Sequence, residues 1–211
     1  MSDEIEFDSR SDAPLETPPI TAKLMASIYG SMCLLSLFWL YFRGRLHELD
    51  RMNVAPLRAL GLGFSFGLGV VALSWIMVYV SKSFRLFMGC FQIILGNISW
   101  QMVFWIAFWS SLAEELTFRG VLQPSWGIFW TSLAFGCCHF PANRLLIPWT
   151  LFAILAGVGL GYLQEYTQNL WAPISAHFTI NFLNLYFLQS LKLSPEEQQQ
   201  LQEKLRLISP Q

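Results

Sequence analysis

Charge is almost missing from the middle of this sequence. Between Leu86 and Leu191 the only Asp, Glu, Lys or Arg residues are Glu114, Glu115, Arg119, Arg144 and Glu165. Over all 211 residues the charged share is 13%, against roughly 25% in an average soluble protein. A stretch so long and so poor in charge excludes the surface of a soluble domain. With a net charge of −1 the chain offers no basic patch, which excludes nucleic acid as a partner. Its cysteines, Cys33, Cys90, Cys137 and Cys138, have no zinc-ligand spacing. They read as small polarizable core residues rather than a disulfide framework. The first 22 residues lack the basic n-region of a secretory signal, so the first apolar run is expected to be retained.

Long apolar runs fill the space that charge leaves. Ala26 to Phe42, Ala59 to Val80, Leu145 to Leu163 and Leu170 to Leu191 are each close to the ~20 residues that cross a bilayer as a helix. The stretch from Leu86 to Val121 is one interfacial helix followed by one span, or two short spans broken near Gly96 and Asn97. Trp126 to Phe140 is short for a span and stops at Pro141. The expected fold is an all-α, polytopic membrane bundle of six or seven embedded helices, because the runs are too long and too evenly apolar for barrel strands. Gly63 with Gly67, and the group Gly157, Gly159 and Gly161, are read as close helix contacts. A phosphate loop is a poor reading of them, since no strand precedes.

The expected organisation is a disordered acidic tail over residues 1–22, an embedded domain over 23–191 and a short amphipathic helix over 192–211. In that last segment Ser194 is the N-cap, Pro195 the first helical residue and Glu197 the partner that closes a capping box. Leu201, Leu205 and Ile208 share its apolar face, and the helix is read as a solvated appendage. The loop from Arg43 to Arg58 carries Arg43, Arg45, Arg51 and Arg58, the densest basic cluster. The positive-inside rule puts it in the cytoplasm and the N-terminus opposite. His47 lies in that loop and is given no role.

Against this apolar background "SSLAEELTFRG" is expensive. A charge at the middle of a membrane helix costs about 2.5–3.5 kcal/mol on insertion scales. Glu115 and Arg119 are four apart, so one face can pair them. Glu114 is turned about 100° away and has no Lys or Arg at helical spacing. His139 ends "FGCCH", and His177 opens "HFTIN", with Asn181 one turn further on the same face. An isolated histidine of this kind is often hydrogen-bonding glue between helices. Together these residues supply a base, a positioning cation and neutral donors, the parts of a hydrolytic site.

In order, "EELTFRG", "FGCCH" and "HFTIN" match the EExxxR, FxxxH and HxxxN motifs. At these residues the sequence resembles the CAAX prenyl protease type II family, also called the CPBP or ABI family of intramembrane glutamic proteases. The resemblance spans about residues 100–188. It implies that Glu114 and His139 activate the attacking water, that Glu115 and Arg119 hold the site together, and that His177 and Asn181 stabilise the oxyanion. It implies no metal and no other cofactor. Helical spacing also singles out Glu114, the acid that Arg119 does not claim. The implied partners are membrane lipids and a peptide or membrane-protein substrate, lipidated or not. The length is nearer the prokaryotic or plastid branch, so a plasma, organellar or thylakoid membrane is expected. Two other readings stay open. One is a zinc metallopeptidase with Glu114, His139 and His177 as ligands, although the chain has no HExxH. The other is a non-enzymatic scaffold or immunity-type protein whose polar cluster only locks helices.

Overall fold

A computed structural model describes residues 21–50, 52–141 and 146–208. The expected acidic tail therefore falls outside the described residues, apart from Thr21 and Ala22. Thr21 caps the first helix, its Oγ1 accepting from Leu24 N at 3.2 Å.

The described residues are helical, with no strand among them. The helices are α1 (Ala22–Phe42), α2 (Pro56–Val80), α3 (Lys82–Leu95), α4 (Trp100–Glu115), α5 (Gln123–Cys138), α6 (Ile147–Thr167), α7 (Trp171–Leu188) and α8 (Pro195–Ile208). A short 3₁₀ helix, Leu46–Asp50, lies between α1 and α2, and a π-helical segment, Leu116–Leu122, joins α4 to α5. The bundle is apolar outside and polar inside. Leu34, Leu35 and Leu155 are 70%, 68% and 72% exposed, while Glu115 and Arg119 are 0% and 1% exposed. Water would reject that distribution, and a lipid surround supports it. This is a membrane protein.

Among the described residues, three helices are long and apolar enough to cross a bilayer: Lys23–Phe42, Pro56–Val80 and Ile147–Thr167. A fourth span is available if the bent pair Lys82–Leu95 and Trp100–Cys138 counts as one. Helix α7 is not among them because His177, Asn181 and Asn184 make it too polar. The ambiguous stretch after Leu86 resolves into α3 and α4, and α3 is bent by 103° from the helical stretch Trp100–Cys138 that α4 begins. Gly96 ends α3 with φ 61°, a left-handed conformation that favours glycine. At 14 residues and about 1.5 Å per residue, α3 is too short to span.

Small residues set the spacing of the bundle. A Cβ on Gly63 would strike Ala172 O and the Ser175 hydroxyl, and one on Gly67 would lie 2.7 Å from Thr179 Cβ and 2.8 Å from Ala176 O. The two glycines therefore let α2 lie directly on α7, the helix that carries His177 and Asn181. At the other end, Asn53 N and Val54 N donate to Thr167 O at 3.1 and 3.2 Å. Asn169 Nδ2 donates to Val54 O at 2.9 Å. These bonds fix where α7 starts.

The C-terminal helix starts as its sequence requires. Ser194 N donates to Glu197 Oε2 at 2.9 Å, and Glu197 N donates to Ser194 Oγ at 3.2 Å. It is not, however, a solvated appendage. Leu201 is 1% exposed and packs with Leu86 and Cys90 of α3, and Arg85 Nε lies 3.1 Å from Glu197 Oε1. The side chains of Leu205 and Ile208 lie outside the described residues.

If α2 must touch α7 backbone to backbone, Gly67→Leu should cost about 1–3 kcal/mol by overpacking and melt earlier in detergent. Gly69→Ala is the control. Its added Cβ meets nothing within 4 Å, and its melt should match wild type.

Candidate active site

The last α-helical turn of α4 carries Glu114 and Glu115, and Arg119 follows in the π segment. A π turn widens the helix locally and re-aims the side chains that follow it. Here the i,i+4 pairing survives the change. Arg119 Nε lies 3.2 Å from Glu115 Oε2, and Arg119 Nη1 donates to Glu115 Oε1 at 3.2 Å. Arg119 Nη2 donates to Gly157 O at 2.9 Å, and Gln123 Nε2 repeats the motif one turn later on Gly161 O at 3.0 Å. Two glycines of the cluster on α6 thus serve as exposed backbone carbonyls for the buried polar ladder of the neighbouring helix. Gly159 faces the other way, against the Phe66 ring.

His177 joins the pair. Its Nδ1 lies 2.7 Å from Glu115 Oε1. An ionised carboxylate only accepts, so Nδ1 carries the proton. His139 is fixed in the same sense, with Nδ1 donating to Phe135 O at 2.7 Å. Both rings therefore turn Nε2 towards Glu114. The distances to Glu114 Oε2 are 3.7 Å from His139 and 3.9 Å from His177. Phe135, the aromatic of "FGCCH", sits at the centre of this group. Its ring centroid is 4.5 Å from that of His139, 5.8 Å from that of His177 and 4.8 Å from the Arg119 guanidinium carbon. The ring excludes water from the ion pair while its face meets the cation.

Asn181 lies one turn beyond His177, and its Nδ2 donates to Ser110 Oγ at 3.0 Å. One amide hydrogen is used there and the second remains. The six residues singled out in the sequence, Glu114, Glu115, Arg119, His139, His177 and Asn181, are thus brought together from α4, the π segment, the end of α5 and α7. His47 stays apart, its Nδ1 3.1 Å from Gly44 O. Among the described residues no group of three or more His, Cys, Asp or Glu side chains is arranged to hold a metal ion.

A cavity of about 370 Å³ opens on the cluster, and Ser110, Glu114, His139 and Asn181 line its polar end. The rest of its wall is mainly apolar and comes largely from α3 and α7, including Phe84, Phe87, Phe91 and Leu188. Tyr29 of α1 also lines it and faces Glu114. Sequence reasoning missed Tyr29, because an aromatic on an apolar helix reads as lipid-facing. It also missed Ser110 and Phe135, whose roles depend on contacts between helices. A signal for Phe135 existed, since it opens the motif that ends in His139.

Comparison with known proteins agrees with the motifs. Residues 95–183 match the family described as type II CAAX prenyl endopeptidase Rce1-like, the family that the three motifs resemble. A Bacillus subtilis (strain 168) protein, named only as uncharacterized protein YpbD, is 42% identical over 73 residues. That is 34% of this chain and 37% of the relative, so the chain spans little more than a third of that protein's length. No solved structure matches the chain. All six site residues lie inside the family match, while α1, with Tyr29, lies outside it.

The geometry separates the two glutamates. In Glu115→Gln, Arg119 and His177 lose their shared carboxylate. Removing one partner of a buried pair costs about 3–5 kcal/mol in soluble proteins, and Gln, which still accepts a hydrogen bond, should cost less. Melting in detergent should be clearly earlier than wild type, whereas Glu114→Gln should melt at or slightly above it. The reverse order would exchange the two assignments.

Proposed function

We propose that this membrane protein is a multi-pass intramembrane endopeptidase of the CAAX prenyl protease type, and that it hydrolyses a peptide bond with water activated by Glu114 and His139. The observation that carries this reading is the convergence of two imidazole Nε2 atoms on one Glu114 oxygen, at 3.7 and 3.9 Å. Those intervals are too long for direct hydrogen bonds, and they suit a single water that touches more than one of the three groups.

The steps follow from which groups are already occupied. Glu115 is held by Arg119 and His177, so Glu114 is the carboxylate left to take a proton. Water gives that proton to Glu114 as its oxygen attacks the carbonyl carbon, and the carbonyl π pair moves onto oxygen. The second amide hydrogen of Asn181 can reach that oxygen. His177 can donate from Nε2 only as an imidazolium, because its Nδ1–H is committed to Glu115. Donors aimed at the developing charge in a dry site are worth far more than in water. Collapse of the intermediate breaks the C–N bond, and Glu114 returns its proton to the leaving amine.

The membrane arrangement proposed is multi-pass. Helices α1, α2 and α6 cross the bilayer, with the Arg43–Arg58 loop on the cytoplasmic side. The substrate class proposed is a peptide or membrane protein, lipidated or not, with an apolar segment that suits the phenylalanine wall of the cavity. A merely structural role for the polar cluster is an outcome of the tests below.

Three results are expected. With a peptide that wild type cleaves, Glu114→Gln should lower the single-turnover rate by roughly 10²- to 10⁴-fold, the usual contribution of a general base. Full activity in that variant would end the glutamic-protease reading and favour a structural cluster. Cleavage should also survive thorough chelation. Loss on chelation with recovery on added zinc would instead support the metallopeptidase. Finally, impermeant thiol reagents should label single cysteines placed in the Arg43–Arg58 loop only after sealed right-side-out cells are opened.

A further inference from the structure

We infer that Asn184 is a substrate-backbone contact, its side-chain oxygen accepting an amide N–H beside the bond that is cut. The inference rests on the hydrolytic reading above and adds a second polar anchor for the peptide. Asn184 lines the same cavity as Glu114, His139 and Asn181. Its Oδ1 is buried and has no hydrogen-bond partner among the described residues. Two serines on the wall are already engaged. Ser74, also on the wall, donates to Val70 O at 3.0 Å, and Ser110 is taken by Asn181.

A buried acceptor without a donor is unfavourable, more so where lipid rather than water surrounds the bundle. A peptide entering the cavity has the complementary deficit, because its backbone N–H groups have left water and need acceptors. Spacing ties the two together. His177, Asn181, Asn184 and Leu188 follow one stripe of α7. Asn184 lies about 4.5 Å along the axis from Asn181, at about 1.5 Å per residue. An extended chain advances about 3.3–3.6 Å per residue. A peptide whose carbonyl oxygen is held at Asn181 therefore brings a neighbouring backbone group opposite Asn184. Side-chain specificity would come from the apolar wall, and register from this amide.

The test uses the full chain in detergent and a quenched-fluorescence decapeptide library. From the library one takes a peptide that wild type cleaves and Glu114→Gln does not. Asn184→Leu should raise KM by about three- to tenfold with kcat little changed, the pattern of binding lost equally from ground and transition states. Methylating each backbone nitrogen of the peptide in turn should reveal one position, next to the cut, that weakens wild type and leaves Asn184→Leu indifferent. Because Asn184→Leu removes an unpartnered acceptor, its melt should be unchanged or later. Coinciding methylation profiles of the two enzymes, or an earlier melt with KM unchanged, would overturn the inference and make Asn184 structural. If wild type cleaves no peptide in the library, the hydrolytic reading fails first, and this one with it.

Discussion

The buried ion pair between Arg119 and Glu115 is the constraint on which the rest of the site depends. A guanidinium 1% exposed inside a lipid-facing bundle cannot be left without acceptors. The chain supplies Glu115 one turn away and the Gly157 carbonyl across the helix interface. His177 then shares the same carboxylate. Once these groups satisfy each other, Glu114 is the acidic side chain next to them with no cation of its own. The structure thus has one glutamate that holds helices and one that faces a cavity.

That division determines how the helices must pack. Arg119 reaches the Gly157 carbonyl across the helix interface, where a Cβ on Gly157 would press against Ser132 and Phe135 of α5. Gly63 and Gly67 let α7, the helix that brings His177 to Glu115, lie directly against α2. Phe135 covers the ion pair and both histidines with one ring. Small residues, an aromatic lid and a polar ladder are therefore parts of one arrangement. Each would be a weak feature alone.

Much of this could be read from the residues, and the parts that could not have physical reasons. Three charges in an apolar run stand out by their cost, and the spacing of Glu115 and Arg119 states their pairing. The capping box at Ser194 is local, so it was legible too. The π segment was not, because its hydrogen-bond shift leaves no periodic mark in seven residues. The docking of α8 was misread as solvation. Leu201 is buried by Leu86 and Cys90, more than a hundred positions away in sequence, and local amphipathicity cannot reveal that contact. Composition alone does not decide how many of these helices span the bilayer. Helix α7 is apolar enough to be noticed, but its polar stripe faces inward, and the fold rather than the composition decides how deeply it sits.

The most direct measurement compares the termini of membrane proteins in cells that carry wild type with those in cells that carry Glu114→Ala. The account predicts a small set of termini present with wild type and missing with the variant, although both proteins accumulate to the same level in the membrane. Identical termini in the two cells, under conditions where the protein is present and folded, would contradict it and leave the polar cluster as a means of holding helices together.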